Sequence, residues 1–103
     1  MSSNFYELYG AKGLDIHEVR DLIAQRLGVP FEEHESSYKG GVYYRHSDGD
    51  RELTVEMNWT DEDGYLSEPH HEEYAVLVYA TRVEANFQER LNGDFTLLRS
   101  EEL

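Results

Sequence analysis

The stretch Glu52-Leu-Thr-Val-Glu-Met-Asn-Trp59 decides the fold. Leu53, Val55, Met57 and Trp59 alternate with Glu52, Thr54, Glu56 and Asn58. Side chains on a strand point to opposite faces in turn, so this period of two puts one set on a core and the other in water. Just before it, Asp48-Gly49 is a hairpin signal, because both residue types tolerate positive φ. The turn pairs the strand with residues 42–46. Gly40 and Gly41 lead into that partner from a weaker strand at 31–38, where Glu32, Glu33 and Glu35 leave little apolar surface. Downstream, a polar loop over 60–73 carries the breakers Gly64, Ser67 and Pro69. Residues 74–80 are apolar on both faces, as expected of a strand in the middle of a sheet.

Further out, the period changes. Asp15 stands three residues before Glu18, the capping-box spacing that satisfies two orphan backbone donors at a helix start. Ile16, Val19, Leu22, Ile23 and Leu27 form one apolar stripe, Gly28 supplies the left-handed stop, and Pro30 prevents resumption. Thr81 and Glu84 repeat the capping spacing, and Val83, Phe87 and Leu91 predict a second helix ending at Gly93. Short strands at 5–9 and 95–99 complete the order β-α-β-β-β-β-α-β. The expected fold is α+β, a single domain over 1–103: a mainly antiparallel sheet with two helices on one face, a ferredoxin-like variant with an extra central strand. Leu22, Ile23, Val55, Trp59, Leu77, Phe87 and Leu91 are expected to share its core. The other sheet face should carry Glu52, Glu56 and Asn58, together with Tyr43 and Arg45.

The 103 residues suit one domain, and 39% hydrophobic residues suffice for a core beside a charged surface. The net charge of −13 argues against direct binding to nucleic acid or an anionic membrane, which need a basic footprint. The absence of cysteine removes disulfides, thiolate metal sites and cysteine nucleophiles. The apolar run at 74–80 is far short of the ~20 residues that span a bilayer, and no secretory signal is legible. A cytoplasmic location is the expectation.

The acids are unevenly spread. Residues 48–73 hold ten (Asp48, Asp50, Glu52, Glu56, Asp61, Glu62, Asp63, Glu68, Glu72 and Glu73) against one base, Arg51. A solvated face kept charged for solubility accounts for such a run. A negative patch that steers a basic partner accounts for it equally, and it also explains the accompanying tyrosines, including Tyr65. On the second view Asp48, Asp50, Glu56, Asp61, Glu62, Asp63, Tyr65 and Glu68 are the candidate partner-binding residues. They are expected to lie near one another.

Other chemistry is poorly signalled. Residues 61–67 resemble part of a calcium loop, but with Gly64 at its sixth position the first and twelfth fall on Trp59 and His70, where carboxylates are required. His17, His34, His46, His70 and His71 include no helical i, i+4 pair, so no metal and no cofactor are expected. His46, Ser47 and Asp48 are contiguous, whereas a catalytic triad needs convergence in space. Gly10 and Gly13 lack a phosphate-binding pattern. Nothing points to an enzyme.

The segment His34-Glu-Ser-Ser-Tyr-Lys-Gly-Gly-Val-Tyr-Tyr-Arg45, with the size, acidity and α+β order, resembles the small immunity-type proteins that bacteria encode beside polymorphic or contact-dependent toxins. The resemblance implies stoichiometric neutralisation of a cognate toxin, often a nuclease with a basic cleft, and it carries over no individual residue. The charge favours the same class of partner, since a nuclease must hold phosphate and an acidic protein can occupy that surface. Three alternatives stay open: a nucleic-acid mimic that titrates a host DNA-binding protein, a small enzyme or ligand carrier, and a domain of a larger assembly. The oligomeric state is not legible.

Overall fold

The computed structural model describes residues 4–36, 41–60, 62–91 and 93–103. Six strands form one sheet: β1 (Phe5–Ala11), β2 (Glu32–Ser36), β3 (Gly41–Asp48), β4 (Arg51–Met57), β5 (Val76–Val83) and β6 (Thr96–Glu102). Their order across the sheet is β2-β3-β4-β5-β1-β6, with every neighbouring pair antiparallel. Among the described residues one α-helix, α1 (Ile16–Leu27), connects β1 to β2 and packs on β4. Its capping box forms as the sequence indicates. Glu18 N–H donates to Asp15 Oδ1 at 2.8 Å, Asp15 N–H donates to Glu18 Oε1 at 3.1 Å, and Gly28 takes the left-handed conformation at φ +66°.

The face of the sheet beneath α1 holds the main core. Tyr9, Leu53, Val55, Val78, Phe87 and Leu91 each stay within 1% of complete burial there, and Val19 and Ile23 meet them from the helix. Within this layer lies a carboxylate: Glu7 is 3% exposed and accepts hydrogen bonds from Tyr9 Oη at 2.6 Å and Ser100 Oγ at 3.0 Å. Those two donors compensate the loss of water that would otherwise make a buried charge costly.

The α+β class and the antiparallel sheet agree with the sequence, and β5 is central as its two apolar faces require. Among the described residues the second helix does not form, and the sheet does not take the ferredoxin-like layout. Thr81 lies inside β5, opposite Glu52, and Val83 pairs with Phe5, so these backbone groups are satisfied by the sheet. What remains before Gly93 makes only a 3₁₀ turn, Phe87–Arg90. So short a segment gains little by nucleating a helix, and one turn suffices to bury Phe87 and Leu91. A bulge in β1·β5 between Phe5 and Glu7 accompanies Arg82 at φ +58°, a left-handed conformation unusual for a residue with a Cβ.

The expected core also needs correction. Ile23, Val55, Phe87 and Leu91 share it, and Leu22 packs against it half-buried. Leu77 points to the opposite face, where it forms a smaller cluster with Leu8 and Tyr74. Trp59 follows the end of β4 and is only half-buried. That second face is not uniformly wet, since Thr54 and Glu56 are each 8% exposed.

Candidate binding face

The strand registers set a row of side chains across the second face: Arg99, Leu8, Tyr79, Thr54 and Arg45, on β6, β1, β5, β4 and β3 in turn. The chain between β4 and β5 folds back over one end of this face. Asn58 holds the fold-back: its Oδ1 accepts from Glu68 N–H at 3.0 Å, and its Nδ2 donates to the carbonyls of Glu68 at 3.3 Å and His71 at 3.1 Å. The Glu68 carboxylate then reaches the sheet, accepting from Tyr79 Oη at 2.9 Å and from Arg99 at 3.4 Å. Tyr74 lays its ring directly over Gly10, beside Leu8, Leu77 and Leu98.

Beyond this strap the face is open and concave. A groove of ≈ 280 Å³ runs across β1, β4 and β5, lined by Tyr6, Glu52, Thr54, Glu56, Tyr79 and Thr81. Its lining includes the carboxylates of Glu52 and Glu56. Arginines flank it on both sides: Arg45 pairs with Glu52 at 3.0 Å, and Arg99 lies over the Tyr6 ring, 5.7 Å from its centroid. The Tyr79 phenol is held well above the usual tyrosine range, first by burial and then by donating to Glu68, so it stays a proton donor with a fixed direction.

The strap also presents a braced turn. Thr60 and Leu66 form an antiparallel bridge, and Ser67 donates to the Trp59 carbonyl through its N–H at 2.9 Å and its hydroxyl at 3.3 Å. At the tip, Gly64 takes φ +87° beside the exposed Glu62 and Asp63. Tyr65 follows with 69% of its surface exposed.

The seven described candidate residues do not form one cluster. Asp48 and Asp50 occupy the β3–β4 turn, with Asp48 3.5 Å from Arg51. The turn and the strap leave opposite ends of β4, a separation of roughly 20 Å for a strand of that length. Glu56 is buried in the groove wall, and Glu68 is enclosed by Tyr79 and Arg99. Glu62, Asp63 and Tyr65 are the exposed group, and Asp61 lies outside the described residues. Tyr6, Thr54, Tyr79 and Thr81 complete the groove but escaped sequence reasoning. Thr54 was legible on the outward side of its strand, whereas Thr81 was read as a helix cap, and the pairing of β1 with β5 was not visible.

The histidines are dispersed. His34 stacks on Tyr43 with ring centroids 5.4 Å apart, His46 packs edge-on to Phe31, and His17 lies 3.9 Å from Asp15. Among the described residues no three His, Asp or Glu side chains are grouped so as to hold a metal ion, and no helix is long and apolar enough to cross a membrane. No protein-family model, no curated protein and no solved structure matches this chain.

Proposed function

We propose that this chain is an acidic binding protein that neutralises a basic partner by stoichiometric complex formation. The specific role is that of an immunity protein opposing a cognate bacterial toxin, with a nuclease as the favoured class. The observation that carries the proposal is the braced turn, where Tyr65 is 69% exposed next to Glu62 and Asp63 on a chain of net charge −13. An exposed tyrosine brings contact area at low entropic cost, and the surrounding acids supply the field that guides a basic surface onto it. Bracing matters because ordering a loose loop on binding would subtract from affinity. A phosphate-mimicking ladder is less well supported, since Glu52 and Glu68 are each engaged by an arginine of the chain itself.

The test pairs the chain with the basic domain expected from the adjacent reading frame. A one-to-one complex on size exclusion, and loss of the domain's activity at the same ratio, are the expected results. Reversal of Glu62 and Asp63 to lysine should abolish protection in cells while leaving the melting transition in place, because both side chains are exposed. A domain that remains active under excess of the chain, or an adjacent frame without a basic domain, overturns the immunity role.

A further inference from the structure

We propose that the outer edge of β2, from Glu32 to Glu35, takes an extended basic segment of the partner as a seventh strand of the sheet. The inference deepens the proposed function and rests on it for the source of that segment, but the edge can be tested alone. Three observations select this occupant. First, β2 stands at the end of the strand order, and among the described residues it pairs on one side only, with β3. An edge strand turns the N–H and C=O of alternate residues away from the sheet, a template that another extended chain completes. Second, α1 packs on β4 and leaves a groove of ≈ 360 Å³ between itself and the start of β2. Ala24, Pro30 and Phe31 give the groove its apolar surface, and Glu33 marks its β2 side. Arg20, the base that lines it, is already engaged: its guanidinium lies 4.7 Å from the Tyr44 ring centroid and its Nε donates to Asp21 at 2.9 Å. Third, the edge carries Glu32, Glu33 and Glu35, all exposed. Two copies of such an edge would set acid against acid, which is unfavourable, whereas a strand of opposite charge is drawn to it.

The register fixes what the added strand must offer. Glu33 pairs with Tyr44, which lies in the core under α1, so positions 33 and 35 belong to the helix face and 32 and 34 to the other. A residue of the added strand opposite Glu33 therefore points at the groove, where an apolar side chain would cover the half-buried Phe31. Its neighbours along the strand point to the other face, beside Glu32 and His34. Main-chain hydrogen bonds supply affinity in this mode, and the groove and the charge supply selectivity. The acids need not be unpaired for that role. Tyr44 Oη donates to Glu33 at 3.3 Å and His34 lies 3.5 Å from Glu32, yet three carboxylates on one short strand still set the sign of the local field.

The probe is the peptide acetyl-Lys-Val-Lys-Val-Lys-Val-Lys-amide, titrated into the intact protein and followed by amide chemical shifts and hydrogen exchange. Saturable shifts should map to residues 31–35 and Ala24, with slowed exchange along β2 and a Kd of about 1 mM or somewhat tighter. The same peptide with all its backbone amides N-methylated keeps its charge but loses its donors, and it should bind about tenfold more weakly or worse. Glu32→Lys combined with Glu35→Lys, both at exposed positions, should weaken the unmodified peptide about tenfold and leave the melting transition in place. Ala24→Leu, which fills the groove, should weaken it to a similar extent. If that variant unfolds, the charge variant and the N-methylated peptide still decide. Equal titration by the N-methylated peptide, or shifts that map to β6, overturn the inference, as does self-association of the chain through β2 without peptide. A partner complex that forms undiminished with the Glu32→Lys, Glu35→Lys variant would refute the edge and leave the binding function intact. Peptide pairing without any partner complex would do the reverse.

Discussion

Two phenols illustrate how single residues tune this protein. Tyr9 and Tyr79 are both held above the usual tyrosine range, by burial first and then by donating to Glu7 and Glu68. With the pKa raised in the fold, the unfolded chain is the first to lose these protons. The linked stability is therefore complete below the ordinary tyrosine value of about 10 and declines as pH rises past it. Thermal melts across that range should show a fall in stability, with tyrosinate absorbance from these two rings appearing only on unfolding. Each such group contributes about 1.4 kcal/mol per pH unit to the slope. Tyr79→Phe should lower stability at neutral pH by about 1–2 kcal/mol, because Glu68 loses a donor, and should remove one proton from the alkaline slope. An unchanged slope would assign the alkaline loss to other groups.

At the scale of elements, the strap between β4 and β5 depends on a glycine. Gly10 needs no special backbone angle, but a Cβ there would stand 2.5 Å from Tyr74 Cγ and Cδ1 and 3.0 Å from Leu98 Cδ1. The glycine is the seat of the Tyr74 ring, and that ring holds the return end of the strap against Leu8 and Leu77. Gly10→Ala should cost about 1–3 kcal/mol through overpacking, read from denaturant unfolding. In a Tyr74→Ala background the same change should cost almost nothing, so the double-mutant cycle should return most of the penalty as coupling. Additive losses would place the clash elsewhere. The missing second helix carries a related lesson. Thr81 and Glu84 have capping-box spacing, yet cross-strand partners on β4 and β1 claim the backbone of residues 81–83. Local spacing proposes an element, and competing pairing decides whether it forms.

For the whole molecule, the field matters more than any one acid. With a net charge of −13 and Glu62, Asp63 and Tyr65 projecting from one turn, association with a basic partner should be steered. The association rate should fall about tenfold between roughly 0.1 and 1 M salt, as the Debye length shrinks from about 10 to 3 Å, while dissociation changes little. Stopped-flow measurements over that range check it. Reversing Glu84 and Glu89, beside the turn that buries Phe87 on the helix side, should alter the rate much less than reversing Glu62 and Asp63. Equal effects from the two pairs would mean that net charge alone, without orientation, governs the encounter.

Local pattern was enough to place the strands and the first helix with its caps, because those depend on neighbours a few residues apart, but it also proposed a second helix that the sheet overrode. The alternation at 52–56, the box at Asp15 and Glu18, and the stop at Gly28 are all local in that sense, whereas Met57 is 42% exposed at the strand's end against its expected inward place. The sequence by itself also determined the sign of the field, which is a sum over residues and does not depend on where they sit. Only the tertiary structure decided which face each strand shows to which partner. The pairing of β1 with both β5 and β6 places Tyr6 and Arg99 beside Tyr79, more than seventy positions from Tyr6 along the chain. That same pairing sends Leu77 away from α1. The length of β4 separates Asp48 and Asp50 from Glu62 and Asp63, and the fold-back held by Asn58 turns Glu68 from a loop acid into the anchor of the strap. A groove between distant strands is a property of register, and register is fixed by burying one whole face at once, which no local pattern encodes.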